Sequence, residues 1–375
     1  MAEKLLSRRT RRDILKAAAA FPALALTGGF PAPAIAQSRK KVTLVYAIQT
    51  IDSTADGFFA AIPQGLGFYA EEGLEVDIQT VAGSAAAVNL LANGRADFTT
   101  HGTAGLFTGV DKGVPMKGFI CQIPDYFISI AVDRTGPIQT FDQLKGKTIG
   151  VPAASGSPVV VTKSVMKAHG WDPEKDVEFL AVGSSLPALD AMKRGRVQAL
   201  VSFDSPFALF EFNGADFRYF RPPPMSTLGF AHTTNTLLST IEKEPAIVAG
   251  LGRAMAKSII YMAAAQPEEL TKLHFKVFPA TKPTGMADDQ IFKLDALRLK
   301  ARTGFMRMQQ RVFDRTEKLG DATDADVDGQ RDLLLLGGEI QTSRPAAQFF
   351  TRQFIEEFNK IDVPGLVAKA KAFRA

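Results

Sequence analysis

Pro137–Val160 reads PIQTFDQLKGKTIGVPAASGSPVV, and the architecture follows from this stretch. Phe141-Asp142-Gln143-Leu144 is expected to form a short helical turn. Lys145-Gly146-Lys147 closes it with a glycine able to take positive φ. Thr148-Ile149-Gly150-Val151 is a short apolar run of the kind found in a buried strand. The small-residue loop Pro152–Pro158 then leads into a helix expected over Val159–Lys167. A strand that ends in such a loop and opens a helix gathers free backbone N–H groups and a positive helix end at one spot. That spot favours an anion or a polar ligand, although such loops also serve packing alone.

The same unit recurs upstream. Lys41–Ile48 (KVTLVYAI) is expected to be a strand, followed by the polar loop Gln49–Thr54 and apolar residues at helical spacing over Phe58–Tyr69. Leu74–Val81 alternates as a half-buried strand, and Ala82–Ala87 is a small-residue loop that opens a helix reaching Leu91. Asn93–Asp97 turns into the strand Phe98–Thr100, and His101–Gly105 opens a third helix. Strands are expected at Lys117–Pro124 and Phe127–Val132. Such alternation argues for parallel βαβ units.

Downstream the series repeats. Val177–Val182 is expected as a strand, Gly183-Ser184-Ser185 opens a helix over Leu186–Arg194, and Gly195–Val201 turns into a strand ending at Ser202–Pro206. Asn93-Gly94-Arg95 and Arg194-Gly195-Arg196 occupy equivalent turns. The spacing of about a hundred residues exceeds that of solenoid repeats, so the reading is two similar α/β lobes. Arg221-Pro222-Pro223-Pro224 is stiff and extended, a candidate crossing between lobes. Helices are expected over Pro245–Ala265, Ala287–Arg311, Ala325–Leu336 and Ala346–Lys360, packing around the first lobe. The expected division is lobe 1 at 41–130, lobe 2 at 131–235, and completion of lobe 1 at 236–375.

The 375 residues are 46% hydrophobic and 22% charged, ample for a sizeable core. The net charge of +5 comes mostly from residues 1–36, where six basic side chains face two acidic ones. The remainder carries 38 basic against 37 acidic side chains, so the charge gives no reason to expect nucleic-acid binding. Residues 1–36 combine Arg11-Arg12-Asp13-Ile14-Leu15-Lys16, an apolar stretch broken by Pro22 and Gly28-Gly29, and Ala34-Ile35-Ala36. This pattern looks like a twin-arginine export signal cleaved after Ala36, with no cysteine there for a lipid anchor. No other apolar run reads as long enough to cross a membrane. Cys121 is the only cysteine and reads as a small buried side chain. GxSxG, HExxH, Walker-type and CxxC motifs are absent, and no cofactor or metal is expected.

Several sequence segments together resemble the periplasmic solute-binding proteins of ABC importers, in the branch for nitrate, sulfonates such as taurine, and thiamine-pyrimidine precursors. They are Gly67–Val76, Gly94–Phe98, Pro137-Ile138 with Asp142–Val151, Leu189–Ala199, and Pro245–Val248 leading to Gln266-Pro267-Glu268. The resemblance implies the type II periplasmic-binding-protein fold: two α/β lobes, each a mainly parallel sheet flanked by helices, joined by two crossing segments. It implies a monomeric, non-enzymatic periplasmic protein that receives a small-molecule ligand in the cleft and passes it to an ABC permease in the inner membrane. The twin-arginine machinery is the further expected partner. Gln198 departs from the family, which usually has aspartate there, and should affect turn packing more than the ligand. A pyrimidine-precursor synthase on the same fold is the enzymatic alternative, but its cysteine-rich motif is not available to a chain with one cysteine. A ligand-sensing domain for a receptor is the third reading.

Ligand contacts are expected in the loops after strands. In the first lobe these are Gln49, Thr50 and Asp52, then Gly83 and Ser84, then His101 and Thr103. In the second they are Ser155, Gly156 and Ser157, then Ser184, then Phe203, Asp204 and Ser205, with Tyr126 as an aromatic flank. Hydroxyls and helix-start N–H groups hold oxyanions without a full positive charge. Each serine would equally serve as a helix N-cap. Asp52 and Asp204 either turn away from an anionic ligand or meet an amine or ring N–H. The expected ligand is a sulfonate, a carboxylate or a pyrimidine-like heterocycle.

Overall fold

A computed structural model describes residues 39–53, 55–304 and 306–375; the expected export signal at 1–36 lies outside them. Among the described residues, ten strands form two five-stranded sheets. The first has the order β2 (Leu74–Thr80), β1 (Lys40–Tyr46), β3 (Phe98–Gly102), β10 (Gly229–Leu237) and β4 (Met116–Asp125). The second has the order β7 (Val177–Ala181), β6 (Lys147–Val151), β8 (Ala199–Phe203), β5 (Ile128–Asp133) and β9 (Phe217–Phe220). In each sheet three strands run parallel, as the βαβ spacing predicts, and the fourth is antiparallel to both its neighbours. That fourth strand enters from the other sheet: β5 follows β4 through Tyr126-Phe127, and β10 follows β9 through residues 221–228. The fold is that of a two-lobed periplasmic binding protein.

Eleven described helices have eight or more residues. They are α1 (Ala55–Gly65), α2 (Ser84–Ala92), α3 (Ala104–Asp111), α4 (Ser157–Ala168), α5 (Leu186–Lys193), α6 (Asp204–Phe212), α7 (Pro245–Ala264), α8 (Pro267–Val277), α9 (Asp288–Thr303), α10 (Asp324–Leu336) and α11 (Val363–Ala372). α2, α4 and α5 each follow a parallel strand, so the periodic segments and their glycine turns were read correctly. The equivalent turns also close alike. The Asp97 carboxylate accepts from the Thr43 N–H of β1 (2.7 Å), and the Gln198 amide oxygen accepts from the Thr148 N–H of β6 (3.0 Å). Gln198 thus does the turn-pinning of the usual aspartate with a neutral group.

Several expectations change. Phe58–Tyr69 is not one helix: Gly67 at φ 76° separates α1 from a turn at Phe68–Glu71. Ala287–Arg311 breaks after Thr303, and Ala346–Lys360 is two short turns around an extended Phe350 that bridges to Gly118 of β4. The C-terminal helices do not pack only on the first lobe, because α9 lies on α6 and α10 on α4, both of the second. β10 begins at Gly229, so residues 229–235 pair in the first sheet instead of the second lobe. Its GFAHTTNTL sequence has no apolar run, yet it is buried almost throughout. The polar groups are satisfied internally, with Thr236 Oγ1 donating to Asp97 O (2.7 Å) and Thr233 Oγ1 to Asn235 Oδ1 (2.9 Å).

α7 is long and apolar enough by itself to cross a bilayer, contrary to the sequence reading, but 72% of its apolar window is packed inside the protein. Its Gly252 is required by Phe358, whose Cε1 and Cζ would lie 2.0 and 2.2 Å from an added Cβ. Overpacking of this kind costs typically 1–3 kcal/mol, against roughly 1 kcal/mol that alanine gains in a helix. Contacts this short put the cost in the upper part of that range, so Gly252→Ala is expected to destabilise by about 1–2 kcal/mol in urea unfolding; a variant as stable as wild type would show that the ring yields freely.

Candidate functional site

A cavity of about 150 Å³ lies between the sheets, and all six parallel strands end at it. β1 delivers Tyr46–Thr50 and Asp52, β2 leads to Ala82–Ser84, and β3 ends in Thr100–Gly102. From the second sheet, β6 leads to Pro152, Ala153 and Gly156–Pro158, β7 to Ser184 and Ser185, and β8 to Phe203 and Pro206. This is the expected place for a ligand in an α/β protein, beyond the carboxyl ends of parallel strands. α2 and α4 start here from opposite lobes, so N–H groups and two positive helix ends face one space.

The lobes touch beside the cavity. Ser84 Oγ and Ser157 Oγ are 3.3 Å apart, both buried. Glycine permits this approach. A Cβ on Gly102 would lie 2.6 Å from Ser157 Oγ, and Gly83 takes φ 88° with Ser155 Oγ 3.1 Å from its absent Cβ. A larger residue at Gly102 would have to displace Ser157, and one at Gly83 would be strained by its positive φ.

Of the fifteen residues named from sequence, ten line the cavity: Gln49, Thr50, Asp52, Gly83, Ser84, His101, Gly156, Ser157, Ser184 and Phe203. The other five do not. Thr103 donates its hydroxyl to Phe230 O (2.7 Å), and Ser155 is exposed. Asp204 turns away, accepting two hydrogen bonds of 2.8 Å from Arg302 Nε and Nη2. Ser205 is buried and donates its N–H to Asp204 Oδ1 (2.7 Å). Tyr126 is buried beside Phe127, and Phe127 supplies the aromatic wall. Asp52 faces the cavity but is already engaged within the protein.

His101 is a neutral wall residue. Burial pushes its pKa down to about 4, a nearby His232 adding to the shift. Nε2 lies 3.3 Å from Asn235 Nδ2, which can only donate, and Nδ1 lies 3.0 Å from Gly102 O. That network puts the ring proton on Nδ1.

Sequence reasoning missed Phe127, His232 and Arg298, which also line the cavity. Arg298 comes from α9, more than ninety residues beyond the last strand-end loop. It is only 6% exposed; one guanidinium nitrogen lies 3.1 Å from Asp295, while Nε has no hydrogen-bond acceptor. Burial raises the Asp295 pKa to about 6, with Arg298 opposing the shift. Asp295, Arg298 and Arg302 recur at i, i+3 and i+7, a charged stripe at helical spacing that a solvated helix would not need to bury. Among the described residues, no cluster of three or more His, Cys, Asp or Glu side chains could hold a metal ion.

The fold is similar to several solved structures. The sulfonate-binding protein SsuA of Escherichia coli matches with a TM-score of 0.63 at 14% identity, covering 84% of this chain and 93% of that one. SsuA of Xanthomonas axonopodis pv. citri, solved with MOPS, gives a TM-score of 0.61 at 13% identity over 83% and 98%. The nitrate-binding protein NrtA of Synechocystis PCC 6803 gives 0.52 at 13% over 88% and 98%. The "putative binding protein YtlA" of Bacillus subtilis is 28% identical over 190 residues, 48% of this chain. The chain spans about half the length of that curated relative, 55%. Residues 55–270 match the family model described as NMT1/THI5 like, more than half of the chain. The chain belongs to the NMT1/THI5-like family.

Proposed function

We propose that this protein is the solute-binding component of an ABC importer, capturing a small organic anion between its lobes and delivering it unchanged to a permease in the inner membrane. The chain reaches the periplasm through the twin-arginine machinery, is cleaved after Ala36, and works there as a monomer without enzymatic activity. One observation carries the reading: loops from six parallel strands and the starts of helices from both lobes face a single cavity. Helix starts offer N–H donors and a favourable potential to a carboxylate or sulfonate, and hydroxyls at Ser84 and Ser157 add donors. Pyrimidine-like heterocycles present acceptors that the same donors can hold. Proteins of similar structure include sulfonate-binding and nitrate-binding ones, consistent with an oxyanion.

A thermal-shift screen of the chain from Gln37 onward tests this. A ligand at a hundred times its Kd should add about 2.7 kcal/mol of stability. Mass spectrometry of the released ligand should return it chemically intact. If only metals or nucleotides shift the melt, or the ligand is consumed, the reading is wrong.

A further inference from the structure

We propose that the captured solute is a small planar aromatic or heteroaromatic monoanion, one ring bearing one carboxylate or sulfonate, and that Arg298 receives its acidic group. This rests on the solute-binding reading above and narrows it. The first observation is the state of Arg298. It is more than nine-tenths buried and lines the cavity, and its Nε, itself sealed from solvent, has no acceptor within the protein. Because Arg298 borders the cavity, an entering carboxylate or sulfonate oxygen meets a planar cation suited to a charge-assisted hydrogen bond. Asp295 holds the guanidinium from one side, and α9 is anchored one turn later by Arg302, so the group is presented without a large ordering cost.

The wall offers the ligand a single guanidinium. Arg298 is the one arginine or lysine among the described residues that line the cavity, and Asp52 is already engaged within the protein. A dianion would leave one charge to helix ends alone.

The second observation is the aromatic part of the wall. The Phe127 ring is pinned by the Arg302 guanidinium over its face at 4.4 Å, by Phe203 edge-on at 6.1 Å, and by His232 at 6.4 Å. Phe127, Phe203 and His232 all line the cavity, making a stiff aromatic surface whose complement is a flat ring. Size agrees: the cavity of about 150 Å³ equals that of an engineered protein cavity that takes up benzene.

Calorimetric titration of the chain from Gln37 onward distinguishes the possibilities, with benzoate and benzenesulfonate as ring anions, cyclohexanecarboxylate and ethanesulfonate as non-planar anions, and benzamide as the neutral ring. Benzoate or benzenesulfonate should bind at least roughly tenfold tighter than the non-planar anions, and benzamide should be weaker by a similar factor. Arg298→Gln should weaken the ring anion on the order of 30-fold or more, with Arg298→Lys intermediate. Phe127→Leu should erase the preference for benzoate over cyclohexanecarboxylate, a readout that survives if Arg298→Gln fails to fold. Ethanesulfonate binding tighter than benzoate would overturn the ring assignment and leave the solute-binding reading standing. Unchanged benzoate affinity in folded Arg298→Gln would overturn the role of Arg298. If no organic anion in this set or in the wider thermal screen binds, the solute-binding reading itself fails.

Discussion

Arg302→Ala is expected to lower the free energy of unfolding by about 3–5 kcal/mol. Arg302 is fully buried and forms a bidentate pair with Asp204, the first residue of α6. Removing it strands a carboxylate in a dry site and uncovers the face of Phe127. Asp204→Ala should cost a similar amount, because the guanidinium left behind cannot shed its proton. The double variant Arg302→Met, Asp204→Leu should recover most of the loss, since apolar residues of similar volume often replace a buried pair at little cost. Urea unfolding of all three beside wild type separates the cost of stranding one partner from the cost of replacing both. If Arg302→Ala costs less than about 1 kcal/mol, as at exposed pairs, the burial assigned to this contact is wrong. The pair also has a mechanical role. α9 packs on α6 of the second lobe and on α8 and α1 of the first, so Arg302 fastens across the cleft the same helix that carries Arg298 into the cavity. Ligand affinity should therefore fall in Arg302→Ala as well.

Stability should also drop by about 2–3 kcal/mol between pH 8 and pH 5. Burial holds His101 and His274 down at about 4, below the ordinary 6.5. For a depressed histidine the unfolded chain takes up the proton first, so stability is fully present above 6.5 and is lost as pH falls toward 4. Each contributes a loss of about 2 kcal/mol over this interval. Asp295 works in the opposite direction, because its pKa is raised to about 6 and protonation in the folded state stabilises. Its gain is about 1 kcal/mol, and Asp125 and Glu339, also raised by burial, add to the same side. The histidines prevail. His274→Gln should halve the loss or better, measured as the difference in urea-unfolding free energy between the two pH values. An identical loss in wild type and variant would mean His274 is not held neutral in the folded state.

Most of the cavity wall was legible because strand-end loops are local features. Small residues between an apolar run and a helical period mark them, and Gly83-Ser84, Gly156-Ser157 and Ser184 were found that way. Thr103, Asp204 and Ser205 sit in equally good loops yet turn elsewhere, toward Phe230 O and Arg302. Which way a loop side chain turns depends on partners more than ninety residues away. β10 went unread because its threonines and asparagine imitate a surface segment and become a central strand only when β3 and β4 supply hydrogen bonds on both sides.

By itself the sequence determined the alternation of strands and helices, the doubling of that pattern into two lobes, and the six strand-end loops that line the cavity. Those follow from hydrophobic period and glycine placement, which act over a few residues. Tertiary structure alone decided that α9 spans both lobes, that Asp204 is sequestered, that Ser84 meets Ser157, and that Arg298 stands in the cavity. Each of these is a contact between distant segments, and whether a charged side chain is buried is set by what the rest of the chain folds around it.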